Sequence, residues 1–225
     1  MSLFRNKNKS TENKKNVINA ATIDLRGYTA NALKEIDAIN AAIVIMPKNP
    51  DSEFIEAYAA IKEKNIAEDL VLDENQQLIN MSGIKTISDN IADENGIYDV
   101  SGITVIKGLT KPIRMIASGI TVIDNISNVS FISKSGITAN VDFTISDAKV
   151  FSKDIELDNR FIELMPDCSV VVCSGDIVFS KDVCEETILS KNICFITSKN
   201  IECSKKIRSA VMTKSIVTNK VINNG

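Results

Sequence analysis

The sequence predicts a mainly β chain, a β-solenoid (β-helix) with βα coils at its N-terminal end. Three observations carry that expectation. Ser-Gly-Ile occurs four times, at Ser82–Ile84, Ser101–Ile103, Ser118–Ile120 and Ser135–Ile137, with starts 19, 17 and 17 residues apart. A short unit at near-constant period indicates stacked coils, each burying an apolar side against its neighbours. Beyond Asn140, short β-prone runs continue between turns in which Ser-Lys recurs, at 152, 180, 190, 198 and 204. Before the repeat, strand and helix patterns alternate, with strand centres at Ile23, Ile43 and Leu70.

Taken in order, residues 1–16 (MSLFRNKNKSTENKKN) are polar and lysine-rich, a composition that buries too little surface to order itself, and they are expected to form a disordered basic tail. Ala21–Leu25 reads as a strand. Thr29 is a candidate N-cap for a helix over ANALKEIDAI, with Leu33, Ile36 and Ile39 on one face. Ala41–Met46 reads as a buried strand closed by Pro47. Asn49 is expected to cap a second helix with Pro50 at its first position, and Phe54, Ile55, Tyr58, Ala59 and Ile61 to form its apolar face. Ile66–Leu72 returns to strand. Residues 17–72 are thus either helix-bearing first coils or an α/β cap. Since no Pro/Gly/Ser-rich linker follows, a continuous stack into a 73–225 solenoid is the preferred organisation.

Within the repeat, alternation predicts Ile84, Ile103, Ile120 and Ile137 on the inner side of each coil and Thr104, Thr121 and Thr138 as an outward ladder. Gly83, Gly102, Gly119 and Gly136 should turn the corner, where a positive φ or a close approach is required. The runs after Asn140, including IELDNRFIELM and ETILSKNICFITSKNIECS, are expected to be all-β half-coils. The chain ends in VINNG, with no amphipathic helix to close the stack, so an uncapped end is expected to invite end-to-end association.

Composition narrows the function classes. The chain has no histidine, which removes Ser-His and Cys-His catalysis and histidine metal ligation. It has no tryptophan and three tyrosines, too few aromatics for a nucleic-acid stacking platform, so no nucleic acid is expected. Cys168, Cys173, Cys184, Cys194 and Cys203 form no CxxC pair and are expected to be reduced apolar fillers. No cofactor or metal site is predicted. Carboxylates that could serve acid–base chemistry (Asp93, Glu94, Asp99, Asp142, Asp147, Asp154, Glu156, Asp158, Glu163) are scattered, with no recurring pair. The N-terminus lacks a signal-peptide pattern and no stretch approaches a membrane-spanning length, so a cytoplasmic location is expected.

Charge is segregated: residues 1–16 carry +4, residues 203–225 carry +5 with no acid, and residues 17–202 carry −12. Leu3 and Phe4 ahead of Arg5, Lys7 and Lys9 make an apolar tip before basic residues, a candidate membrane-surface contact. With the coil pattern, this tail resembles the bactofilins, bacterial polymer-forming scaffolds with a β-helical core and a short basic, apolar-tipped N-terminal segment. The helical pattern at 29–62 departs from that family's all-β core. The resemblance implies a structural or protein-interaction scaffold whose partner is a second copy (homo-oligomer or polymer) or another protein, with peripheral contact at the inner membrane surface. Two alternatives come from other classes: a carbohydrate-active or other small-molecule enzyme on a β-helix, and a monomeric partner-binding module using residues 29–62, with Tyr28 and Tyr58 as first contacts.

Overall fold

The computed structural model describes residues 16–223, and all statements below concern those residues. Strands make up 49% of the structure and helices 16%, so the protein is mainly β, and every strand pairing is parallel. The chain divides into two compact units, one ending at Gln76 and one beginning at Gln77.

The first unit is a three-stranded sheet, β1 (Val17–Asp24), β2 (Ala38–Pro47) and β3 (Glu63–Leu72), with α1 (Ala30–Lys34) and α2 (Ser52–Ala59) in the crossovers. Thr29 caps α1, its hydroxyl accepting from Ala32 N at 3.2 Å. The helix is half the expected length, because Ala38 and Ile39 pair with Val17 and Ile18 as strand instead. The second helix is capped by Asp51, whose carboxylate accepts from Phe54 N at 2.7 Å; the expected cap, Asn49, lies outside it. Ile55 is consequently exposed, while Phe54 and Ala57 enter a core with Leu33, Ile39 and Val44. Asn19, Asn40 and Asn65 lie in register, and their amides form a ladder: Asn65 Nδ2 donates to Asn40 Oδ1 (2.6 Å) and Asn40 Nδ2 to Asn19 Oδ1 (2.7 Å). Asn40 in the middle both donates and accepts, so the ladder ties the three strands at one register.

The second unit begins with four long strands, β4 (Gln77–Ile87), β5 (Gly96–Ile106), β6 (Ile113–Ile123) and β7 (Val129–Asn140), in that order in one sheet. β3 and β4 belong to different sheets. Register aligns the repeat residue for residue: Gly83, Gly102, Gly119 and Gly136 are successive partners, with φ of 79°, 101°, 98° and 93°. Tyr98, Val100, Met115 and Ala117 before the glycines and Ile106 and Ile123 after them share one core, with Leu109 from the connecting loop. Each strand therefore bends at its glycine around its own apolar filling.

After β7, residues 141–146 run back along the sheet: Ile145 N donates to Asp124 Oδ2 (3.2 Å), and Lys107 Nζ donates to Ser146 O (3.4 Å). The chain then climbs again as two parallel four-stranded sheets. One contains β8 (Asp147–Phe151), β10 (Ser169–Cys173), β12 (Ile193–Thr197) and β14 (Ser215–Val217). The other contains β9 (Ile155–Leu157), β11 (Ile177–Phe179), β13 (Ile201–Cys203) and β15 (Val221–Asn223). Three helices close these coils: α3 (Asn159–Leu164), α4 (Glu185–Leu189) and α5 (Arg208–Thr213). The expectation of all-β half-coils here is corrected. Asp158 accepts from Phe161 N and turns the IELDNRFIELM run into helix, and a coil of 22 to 24 residues has room for two strands and a helix. Ile162, Ile188 and Val211 from the helices join Val171, Cys173, Ile177 and Phe195 in one core.

The two parts of this unit pack face to face. Ile103, Val105, Ile120 and Val122 meet Val170, Val172, Cys194 and Ile196. The outward threonine ladder is overturned on the opposite face: Thr104 and Thr121 are 2% and 1% exposed, on the same side of their strands as Ile106 and Ile123 of the other core. Sequence alternation assumes one wet face, and here both faces are covered. Ile84, on the edge strand β4, is 50% exposed, so it does not share the burial of Ile103 and Ile120.

The glycine row makes a graded prediction. A Cβ on Gly119 would lie 2.2 Å from Gly102 O, a rigid backbone clash, whereas one on Gly83 would meet nothing within 4 Å. Gly83→Ala should therefore cost only the left-handed conformation, about 1–2 kcal/mol. Gly119→Ala should cost at least twice as much, read by urea denaturation of the two variants.

Candidate functional site

A groove lies where the two parts of the second unit meet. One side is formed by the four motif glycines and the isoleucines that follow them, one pair per strand. The other is formed by Ser152, Ser174, Ser198 and Thr218, each the residue immediately after β8, β10, β12 and β14. The groove holds about 470 Å³, and no ionisable side chain lines it. The structure thus brings Gly83, Gly102, Gly119, Gly136, Ile84, Ile103, Ile120 and Ile137 together along one groove. The hydroxyl wall was missed in the sequence, although Ser152-Lys153 and Ser198-Lys199 lie among the recurring Ser-Lys pairs. Part of the wall's polarity turns inward, since Ser198 Oγ donates to Ser174 O at 3.3 Å.

Several of the acidic candidates, and two further aspartates, are engaged locally. Asp158 caps α3, and Asp154 Oδ1 accepts from Asp176 N on the next coil at 2.8 Å. Asp176 Oδ1 in turn accepts from Asn200 N at 2.9 Å, and Asp167 Oδ1 accepts from Asn192 N at 2.6 Å. Asp93 accepts from Asn95 N, Asp147 pairs with Lys149 at 2.9 Å, and Glu163 accepts from Asn159 Nδ2 at 2.6 Å. These contacts are short side-chain staples within and between coils, and no two of the acidic candidates face one another across a cleft in them. Among the described residues, no three Cys, Asp or Glu side chains gather as a metal site.

All five cysteines are free, and Cys173, Cys194 and Cys203 are buried. Burial pushes the Cys194 thiol up to about 12 and also raises Cys173 and Cys203, so these sulfurs stay protonated near neutrality. In the first unit, Tyr28 is 37% exposed. Tyr58 is engaged: its hydroxyl donates to Asp69 Oδ1 at 3.0 Å, and Lys64 Nζ lies 5.2 Å from its ring centroid. Burial, then the Asp69 carboxylate, raises its pKa. Leu3, Phe4, Arg5, Lys7 and Lys9 lie outside the described residues. No helix is long and apolar enough to cross a membrane.

No family model, curated protein or solved structure matches the chain.

Two predictions follow from the staples. The Thr110 hydroxyl holds the Asp89 carboxyl below its usual range, as Lys149 does for Asp147, Asn192 N for Asp167 and the Ser180 hydroxyl for Asp182. Folded values below unfolded ones mean stabilisation that is complete above the unfolded carboxylate range, about pH 4, and lost as pH falls through the folded values. The melting temperature should be level between about pH 5 and 7 and fall below about pH 4, which a circular-dichroism melt at each pH would read. Lys191 Nζ donates to the carbonyls of Ile162 (3.3 Å), Glu163 and Met165 (2.5 Å), closing the C-terminal end of α3 from the next coil. Lys191→Met keeps the stem and should lower stability by about 1–3 kcal/mol in urea.

Proposed function

We propose that the chain is a β-solenoid scaffold that assembles head to tail with copies of itself through the uncovered last coil of its second unit. The observation that carries this reading is the one-sided pairing of β14 and β15, which bond to β12 and β13 and to no further strand among the described residues. Phe195 N donates to Lys214 O and Thr218 N to Thr197 O. Alternation in a parallel ladder then directs the N–H and C=O of Ser215 and Val217 away from β12, toward the open side. Such a row is a template for another strand.

Charge favours a particular neighbour. The last coil carries Lys205, Lys206, Arg208, Lys214 and Lys220 with no acid, whereas the first coil of the same sheets carries Asp147, Asp154, Glu156, Asp158, Glu163 and Asp167 against Lys149, Lys153 and Arg160, a net −3. A basic end meeting an acidic beginning is a heterologous contact, and a heterologous contact that does not close on itself propagates. The apolar tip of the tail, Leu3 and Phe4 with Arg5, Lys7 and Lys9, then serves as the membrane-surface contact. It is weak alone and multiplied along a polymer, in the manner of the bactofilins that the tail resembles.

Sedimentation velocity and negative-stain microscopy across ionic strength test the assembly. The wild-type chain should form concentration-dependent oligomers at low salt that shrink as salt rises. Val217→Pro removes an outward N–H while leaving the β12 ladder intact. It should sediment as a monomer with a nearly unchanged melting temperature. A wild-type chain that stays monomeric at every salt would sink the scaffold reading.

A further inference from the structure

We infer that the groove between the motif glycines and the hydroxyl wall binds a single linear hydrocarbon chain, that of a soluble amphiphile such as a free fatty acid, with the polar head left in water. This inference stands apart from the assembly reading, since the groove runs along the side of the stack and uses none of the open strand edges.

The occupant is read from the groove's own chemistry. About 470 Å³ lies within the ordinary range for a small-molecule site. Its walls repeat once per strand: a glycine and an isoleucine on one side, and Ser152, Ser174, Ser198 or Thr218 on the other. At about 4.8 Å per strand, four strands give a channel roughly 14 Å long between the outermost rungs. Uncharged walls that repeat the same residue types from strand to strand suit a ligand that is itself uniform along its length. An alkyl chain has that property, and a sugar or nucleotide does not.

Charge and hydrogen bonding exclude the other long ligands. No ionisable side chain lines the groove, so nothing there recognises a phosphate or carboxylate. A peptide laid along it would cross the strands, whose ladder bonds run along the same direction as the groove and are already made between neighbouring strands. One hydroxyl per strand on one wall cannot pair the N–H and C=O of every residue, and the facing glycine–isoleucine wall offers no side-chain partner. A hydrocarbon has no such groups to satisfy. One channel of this width takes one chain, which sets a single-chain amphiphile apart from a two-chain lipid in a bilayer.

Saturation binding of cis-parinaric acid, a linear fluorescent fatty acid, to the full chain tests this. One equivalent should bind, and straight-chain fatty acids should displace it with affinity rising about fourfold per added methylene until the channel is filled, then levelling. Ser174→Phe, placed mid-wall, should weaken binding at least tenfold with an unchanged circular-dichroism spectrum. Leu164, Leu189 and Met212 are the exposed apolar residues of the three helices of this unit, at 72%, 50% and 56%. Changing all three to Ser should leave binding intact. Binding that ignores Ser174→Phe, disappears with the helix variant, or shows no chain-length dependence in the wild-type chain would overturn the proposal.

Discussion

From Gly102 onward, each motif glycine lies so close to the glycine carbonyl one strand below that no side chain fits, and the second unit is organised around that contact. A Cβ on Gly102, Gly119 or Gly136 would come within 2.5, 2.2 and 2.2 Å of the preceding glycine's oxygen. The contact does two things at once. It locks register, because a slip by one residue would drive a serine or isoleucine into that space. It also holds φ near +100° on successive strands, so that all four bend at one level and enclose Tyr98, Met115 and their neighbours.

Register then decides what the other faces do. With the strands aligned residue for residue, Ile103 and Ile120 form one continuous apolar strip, and the chain covers it by doubling back through residues 141–146. The second climb repeats the logic with different parts. Its coils are stapled by side chain to backbone bonds, Asp154 to Asp176 N and Asp176 to Asn200 N, as Asp89 to Thr110 N and Asp124 to Gly108 N staple the first sheet, which adds the glycine backbone contact. Of the acids that composition offered for catalysis, Asp154 holds two coils together and Asp158 caps a helix. The groove carries no charge because glycine, isoleucine, serine and threonine alone line it.

The sequence was most legible where side-chain demands repeat. The glycine period predicted the parallel ladder and its corner, and Thr29 was readable as a cap from its position alone. It was least legible where a decision depended on what covers a surface. Thr104 looked like a wet strand residue because alternation sets it opposite Ile103 and Val105, and its own side is filled by neighbouring strands and loops, Ile87, Leu109 and Ile113 among them. The helices α3, α4 and α5 span five or six residues, less than two turns, too short to show a period, and Asp158 was read as a possible acid rather than as a cap. The asparagine ladder escaped notice because its members are 21 and 25 residues apart, an irregular spacing with no motif around it. The groove shared both cases: its glycine side was visible as a repeat, and its hydroxyl wall became a wall only once the second climb lay beside the first.

The same dependence on coverage bears on what the protein is for. A parallel ladder satisfies interior strands on both sides and leaves its last strand half satisfied, so a stack of coils must be capped, shielded by charge or joined to something. Among the described residues no helix follows β15, and the lysines of this coil shield its edge against a second, equally charged edge. Lysines shield only against like charge. In the assembly proposed above, the same residues would attract the acid-bearing first coil of another copy, so that one charge pattern would keep identical ends apart and direct unlike ends together, with ionic strength governing how sharply it does so.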